Sequence, residues 1–531
     1  MNRIFLYVHT LRYLKWKQIV YRVLYLLKRR SLPAPGLGAP PPTADLPGLC
    51  GVSSPFLATA PCHQRGVFTF LNLSKSFPGD VDWAFAGHGK LWTYHLNYFD
   101  YLNQTEMTTE EGLRLIRSFL AGMDRKQVGL EPYPISLRGV NWIKFLNRWG
   151  IRDDAVAAGL FRQYRYLLGN LEYHLLGNHL LENGFSLLFG ACYFDDKRFY
   201  RKAAEILREE FSEQILPDGG HFERSPMYHQ IILGRVLDCI NLLKNGDSAH
   251  IFSLLMETAA RMLGWIEQMT FQNGAIPLMN DAALGMAPTT AELSAYAARL
   301  GVSTRRVPLK ESGYRKIGSD SCEMILDVGA IGPDYIPGHA HADTFSFELH
   351  VGGMPVIMDS GTSSYEDCPL RHWQRSTRAH NTVEIDGKDQ SEVWGSFRVA
   401  RRARVTELKE GNGFIEAAHD GYQRLTGKPT HRREWRFGER GFQIRDRITG
   451  RFQEAIGRFH FHPDVRLDAH SDACQTGKVH LSDGTLLSWQ IMKGRGHLAE
   501  TTYHPEFNVR IHNRCLEVCF TESETIVGFT W

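Results

Sequence analysis

Apolar residues recur at i, i+3 and i+4 through residues 105–300. The spacing predicts helices over EEGLRLIRSFLAGM, DDAVAAGLFRQYRYLLGNLEYHLL, SLLFGACYF, RFYRKAAEILREEFSEQIL, MYHQIILGRVLDCINLLK and IFSLLMETAARMLGWIEQM. Helices of similar length on short connections predict pairs wound into an (α/α) toroid or solenoid, although no repeat is strict enough to name. Near residue 310 the pattern turns short, alternating and rich in β-branched and aromatic residues. EMILDV, TFSFELHV, PVIMDS, NTVEI, RARVTEL, GFIEAA, REWRFG, GFQIRD, GRFHFH, VHLSD, LLSWQIM, NVRIHN, LEVCFT and TIVGFTW read as strands, with hairpin turns at Asp386-Gly387, Asp420-Gly421 and Asp483-Gly484. Strands with no helices between them predict antiparallel sheets packed as a sandwich. The expected fold is therefore α+β multidomain: an N-terminal (α/α) toroid over 50–305, then a C-terminal antiparallel β-sandwich over 306–531, with a cleft where they meet.

Length agrees with this division, since 531 residues exceed what one core supports. At 43% hydrophobic and 22% charged residues the chain is globular, and a net charge of +3 argues against a nucleic-acid binder. That total hides an asymmetry. Residues 1–30 carry eight Lys/Arg and no Asp or Glu, which leaves the other 501 residues five negative. Arg12, Lys15, Lys17 and Arg22 interrupt the apolar residues, so the segment is a poor match to a secretory signal. It reads better as a basic amphipathic helix with Ile4, Phe5, Tyr7, Leu11, Tyr13, Leu14 and Leu24 among its apolar residues. Such a helix either lies on an anionic membrane surface or packs on the body with a solvated basic face. Residues 31–49 hold six of the 23 prolines and read as a linker. Nine irregularly spaced cysteines, with no CxxC pair, make neither a disulfide framework nor a cysteine-based zinc site. Sparse cysteines and no clear leader place the expectation in the cytoplasm or at an inner membrane, with a periplasmic setting left open.

Three clusters carry candidate chemistry. In GHAHADTFSFEL, the strand TFSFELHV buries Phe345, Phe347, Leu349 and Val351, and His339, His341 and Asp343 lie on its approach. Gly352-Gly353 turns the chain and PVIMD returns Asp359 towards the same end, with His380 ahead of the next strand. Two imidazoles and a carboxylate suit zinc, but ligands 18 and 21 residues apart are a weak signal on spacing alone, which favours hydrogen-bonded polar residues at strand ends. In GNHLLENG, helical spacing lets Asn178, His179 and Glu182 share a face; the alternative is a helix terminus stopped by Asn183-Gly184. In LPDGGHFERSPMYH, Ser225-Pro226 reads as N-cap and first helical residue, which sets Tyr228 in a first turn where the helix dipole favours an anion. A tyrosine there also reads as a packed surface aromatic.

Taken in order, WTYHLNYFDYL, YPISLRGVNWIKF, GNHLLENG, DGGHFERSPMYH and HAHADTFSFEL–MDSGT–RAHNTVEIDG resemble the heparinase II/III-like polysaccharide lyases, over about residues 80–400. The resemblance implies a toroid followed by a sandwich, and β-elimination at a uronic acid. It implies Asn178 as the residue neutralising the sugar carboxylate, and His179 and Glu182 as a matching His–Glu pair. Tyr228 is implied as acid and alternatively also base, with His339 as base or as assistant to the tyrosine. His341, Asp359 and His380 are implied as ligands of a structural zinc. The basic N-terminal segment departs from the exported lyases of this group, and suits a bacterial exopolysaccharide or capsule pathway. Arg138, Asn141, Arg224, Arg371, Arg375 and Arg378 are candidates to line an anionic-sugar groove or, individually, plain surface residues. Two readings compete: a glycoside hydrolase on this fold, with Glu182 and Glu223 as its carboxylates, and a non-catalytic carbohydrate-binding component.

Overall fold

The computed structural model describes residues 3–27, 41–46, 49, 54, 62–123, 129–244, 249–319, 321–469 and 474–531. Most of the expected Pro-rich linker, Lys28, Arg29, Arg30 and Cys50 lie outside the described residues. Every cysteine among the described residues is a free thiol.

The helical half opens with a feature the periodicity missed, a three-stranded antiparallel sheet of His63–Gln64, Val67–Phe70 and Leu73–Ser76. The helices Lys90–Tyr98, Thr109–Ala121, Pro132–Arg148, Asp154–Gly169, Gly177–Phe194, Lys197–Gln214, Pro226–Leu243, Ala249–Gln268 and Thr290–Leu300 follow. Their ends are written in side chains. Thr108, Asp153, Asp196 and Ser225 accept N-capping bonds, and Thr289 forms a capping box with Glu292. Two boundaries differ from expectation. The stretch 153–176 breaks at Asn170, and GNHLLENG joins SLLFGACYF in one helix. Asn183-Gly184 is thus mid-helix and not a stop. A Cβ at Gly184 would stand 2.8 Å from Ile206, so the glycine permits close packing against the next helix.

Among the described residues the β half has four antiparallel sheets, one of them a two-stranded ribbon of Val393–Trp394 and Arg398–Val399. An eight-stranded sheet runs in the order Val405–Gly411, Phe414–His419, Thr430–Gly438, Gly441–Thr449, Glu524–Thr530, Leu486–Lys493, Thr476–His480, Arg466–Ala469. Opposite it lie two four-stranded sheets. One orders Tyr314–Ser319, Cys322–Asp327, Phe347–Val351 and Met354–Ile357; the other orders Arg495–Tyr503, Ile511–Cys519, Ala455–His460 and Val383–Ile385. A bridge between Ile357 and Phe461 joins these two into one layer. Phe345, Phe347, Leu349 and Val351 enter the same core as Trp435, Phe442, Trp489, Leu516 and Phe529, which makes the sandwich. Gly352 and Gly353, both at positive φ, close the expected two-residue turn. Asp420-Gly421 instead begins a longer loop before residue 430.

Between the halves, buried polar side chains grip backbone. Glu348 accepts from Leu278 N–H at 2.7 Å, and His350 stacks on Phe271 with centroids 3.7 Å apart. The carboxylate of Asp218 accepts from Gly220 N–H, Lys310 N–H, and the N–H and Oγ of Ser312.

The expected single N-terminal helix is two, Arg3–Leu11 and Trp16–Leu27, docked across both halves. Gln18, the one buried residue of the second helix, donates to the Leu175 carbonyl at 3.0 Å. Lys15 pairs with Glu213 and Lys17 with Glu209. On the sandwich side, Tyr7 packs edge-on against Trp394, and Arg402 lies 3.8 Å over the Tyr13 ring.

Asp218→Ala would leave buried donors of the inter-domain segment unpaired. A loss of about 1–3 kcal/mol is expected, read as a lower urea midpoint; an unchanged midpoint would refute this role.

Candidate active site

The site forms where the N-termini of two helices meet the sandwich loop that precedes the Phe347–Val351 strand. Ser225 Oγ accepts from Tyr228 N–H at 3.3 Å and donates to the Asp281 carbonyl at 2.8 Å, so the cap of one helix is anchored to the next site segment. Pro226 sits at the first helical position, as the sequence indicated. Tyr228 therefore projects from the first turn. Its ring lies on the imidazole of His339, with centroids 3.9 Å apart and planes 31° apart. Its hydroxyl is 3.1 Å from that of Tyr365, a sandwich residue. Burial, with Tyr365, Asp281 and Glu223 nearby, holds the Tyr228 phenol well above its usual range, so it keeps its proton.

His339 is positioned by Asp281, whose importance the sequence reading missed. His339 Nδ1–H donates to Asp281 Oδ2 at 3.0 Å, and His341 Nε2–H donates to Asp281 Oδ1 at 2.8 Å. Arg371 grips both oxygens with its two terminal nitrogens. All three side chains other than His339 are fully buried. Burial alone would raise the Asp281 carboxyl, but Arg371 and the two histidines reverse this and hold it well below the carboxylate range. A carboxylate only accepts, so it sets both tautomers. Nε2 of His339 points the other way, 3.8 Å from Glu223 Oε2. His341, which burial keeps neutral, has a lone pair on Nδ1.

Asn178 lies in the first turn of Gly177–Phe194, where Leu176 and Gly177 at positive φ turn the chain inward. Its backbone and side-chain N–H groups donate to the two oxygens of Glu223, both at 3.4 Å. Burial raises the Glu223 carboxyl above its ordinary value. Asn178, Glu223, Tyr228 and His339 thus converge.

Other expected members do not join them. The His179–Glu182 pair is not formed. His179, 32% exposed, bonds Glu172 at 3.2 Å and packs on Tyr133, while Glu182 turns to the buried Arg235 at 3.3 Å. Arg235 is a buried cation that needs a carboxylate, and Glu172, just ahead of the helix, is free to take the histidine. The expected groove is corrected further. Arg138 is fully buried, bonded to Gln163 Oε1 and the carbonyls of Asn97 and Gly129. Asn141, also buried, donates to the Tyr98 carbonyl and Asp100. Arg224 spends its guanidinium on the carbonyls of Ala330 and Glu311. Arg375 is buried against the carbonyls of Ala340 and Gly395. Arg378 alone of these is half exposed, 3.6 Å from Glu384.

Of the expected metal ligands, His380 Nδ1 and Asp359 Oδ2 are 2.8 Å apart, and the His341 and His380 rings are 5.3 Å apart. As these side chains stand, no group of three or more His, Cys, Asp or Glu among the described residues is arranged to hold a metal ion. The donor chemistry nevertheless fits zinc. Burial pushes His341 down to about 3, which keeps it neutral, and its Nδ1 is buried without a hydrogen-bond partner, as is Nε2 of His380. Asp281 stands behind His341 as the outer carboxylate of a ligating histidine does.

Two family profiles match the chain in succession, heparinase II/III N-terminus over residues 155–299 and heparinase II/III-like, C-terminal, over 301–527. The chain belongs to the heparinase II/III-like family. It is 24% identical over 362 residues to a heparin-sulfate lyase of Bacteroides stercoris, covering 61% of this chain and 51% of that protein. It is 25% identical over 338 residues to a heparin-sulfate lyase of Pedobacter heparinus, covering 55% and 47%. The chain thus spans about half the length of the curated relatives it matches. Among solved structures it is similar in fold to heparinase III, with a TM-score of 0.67, 16% identity and coverage of 96% of this chain and 89% of that one. It is also similar to a heparan sulfate lyase HepC mutant from Pedobacter heparinus, with a TM-score of 0.59, 16% identity and coverage of 97% and 87%.

Asp281→Asn turns an NH2 group towards donors and strips Arg371 of its charge partner. A loss of about 3–5 kcal/mol is expected by chemical denaturation. Because the Asp281 carboxyl is depressed, its contribution is full above about pH 4 and is lost as pH falls through the depressed value. Wild-type stability at neutral pH in the variant would contradict the assignment.

Proposed function

We propose that this protein is a polysaccharide lyase that cleaves a uronic-acid-containing acidic polysaccharide by β-elimination and leaves a 4,5-unsaturated uronate. The observation that carries the reading is the stacking of Tyr228 on His339, within a cluster that also holds Asn178. The names of the matched relatives support an acidic glycan, either glycosaminoglycan-like or a bacterial exopolysaccharide.

The C5 proton of a uronate becomes removable only when the C6 carboxylate is neutralised. The second N–H of the Asn178 side-chain amide supplies a donor for that carboxylate, and the N-termini of the Asn178 and Tyr228 helices supply favourable dipoles. His339 Nε2 takes the C5 proton, its opposite nitrogen held by Asp281. The C5–H electron pair becomes the C4–C5 double bond as the bond from C4 to the leaving oxygen breaks. Tyr228, kept protonated by its surroundings, donates its hydroxyl proton to that oxygen. After release, proton transfer through solvent returns His339 and Tyr228 to their starting states. A hydrolase would need two carboxylates flanking the bond; Glu182 is bonded by Arg235 and Glu223 by Asn178, which weighs against that alternative.

The expected test is the ultraviolet absorbance of the unsaturated uronate when candidate acidic polysaccharides are screened. Hydrolysis cannot generate that chromophore, and no product of any kind would favour the carbohydrate-binding reading. With a cleaved polymer in hand, Tyr228→Phe should lower kcat by about 10²–10⁴-fold with little change in KM. Full activity in this variant would rule out the mechanism.

Zinc is proposed at His341, Asp359 and His380. Bound there, the metal supplies a structural crosslink for the loop that carries His339. Elemental analysis of the purified protein should find stoichiometric zinc, and His380→Ala should lose both the metal and thermal stability. A metal-free native protein would remove this assignment.

A further inference from the structure

The two N-terminal helices dock on the body through a mixed polar and aromatic side, with Tyr7 on Trp394, Tyr21 on Tyr173 and Gln18 on the Leu175 carbonyl, while large apolar side chains face outward. Phe5 is 60% exposed and Val8 56% on the first helix; Trp16 is 76%, Leu26 86% and Leu27 80% exposed on the second. Trp16, Val23 and Leu27 recur at i, i+7 and i+11 and share one face, with Gln18 on the other side. Scattered single apolar residues on a surface need no explanation, but a contiguous face of this kind marks an interaction site.

At the break between the helices lies a second, independent feature. A surface cavity of about 590 Å³ is lined by Arg12 and Tyr13 of the break and by Arg401, Arg402, Arg404 and Arg424 of the sandwich. Arg402 pairs with Asp334 at 2.9 Å and leaves its Nε buried without a hydrogen-bond partner. Arg401 and Arg424 share Glu392, and Asp420 also lines the cavity, so five arginines against three carboxylates leave it cationic. The first 30 residues contain no acid at all. Apolar side chains beside a cationic recess match a bilayer surface, where acyl chains lie next to phosphate headgroups.

We infer that the Arg3–Leu11 and Trp16–Leu27 helices dock this protein on anionic phospholipid. Their apolar faces enter the headgroup–acyl boundary, and the arginine cavity takes a lipid phosphate. No helix among the described residues is long and apolar enough to cross a membrane, so the contact is peripheral and lies in the plane of the surface. This inference goes beyond the proposed chemistry and does not depend on it.

The test is flotation of the full chain with phosphatidylcholine vesicles, with and without phosphatidylglycerol. Recovery on the anionic vesicles is expected to exceed that on neutral ones by about tenfold and to fall with added salt. Combined Phe5→Ser, Trp16→Ser and Leu26→Ser changes, all at exposed positions, should lower recovery about tenfold with an unchanged circular dichroism spectrum. Combined Arg12→Glu and Arg404→Glu changes should abolish the preference for anionic lipid. Equal recovery of the serine variant and the parent, or no preference for anionic vesicles, would overturn the inference. So would a parent that fails to float but runs as a dimer which the serine changes dissociate, since the face would then belong to a second copy. Thermal stabilisation by inorganic phosphate without vesicle recovery would assign the cavity to a free anion and overturn it equally.

Discussion

A single buried carboxylate organises this molecule. Asp281 receives His339, His341 and both terminal nitrogens of Arg371, which fills all four of its acceptor positions. Removing two charges from water costs several kcal/mol unless the pair is fully bonded, and here it is. The same oxygens impose opposite tautomers on two histidines only two residues apart. One presents Nε2 beside Tyr228 and Glu223, the other keeps Nδ1 turned to the Asp359–His380 neighbourhood. Through its backbone carbonyl Asp281 also holds Ser225, the cap of the Tyr228 helix. The proposed catalytic tyrosine and histidine and the proposed metal loop thus share one anchor.

The electrostatics of the cluster follow from where cations were spent. Outside its first 30 residues the chain is net negative, yet the proposed substrate is an anion. Arg138, Arg371 and Arg375 are consumed inside, holding Gln163, Asp281 and loop carbonyls. Recognition is left to amide N–H groups and helix termini. Donors of this kind act at short range and are fixed before the ligand arrives, which is what neutralising one carboxylate at one carbon requires. A global positive field would attract the polymer without choosing the bond.

The division into helices and sandwich was legible because burial repeats with each element's own period. Tyr228 was legible for a local reason, since Ser225-Pro226 marks a helix start whatever surrounds it. What escaped were partners set by tertiary packing. Asp281 follows Asn280 in an irregular apolar stretch that carries no period, and its three partners lie 58 to 90 residues downstream. Glu172 took His179 for a similar reason: the i, i+3 rule that favoured Glu182 knows nothing of Arg235 on another helix. The buried arginines were misjudged because sequence shows a cation's charge but not the carbonyls waiting for it. Arg495–Tyr503 was missed because its RGHLAETTY pattern is too polar to signal a strand.

The sequence separation of the Asp281 anchor also orders events during synthesis. Asp281 leaves the ribosome 90 residues before Arg371. Until the sandwich segment follows, the nascent helical half has made Tyr228 but holds its organising carboxylate in water, with neither histidine oriented. The arrangement of the site therefore waits for the sandwich segment, and a chain made only as far as the helical half carries Tyr228 and Asp281 without the histidines that complete the cluster.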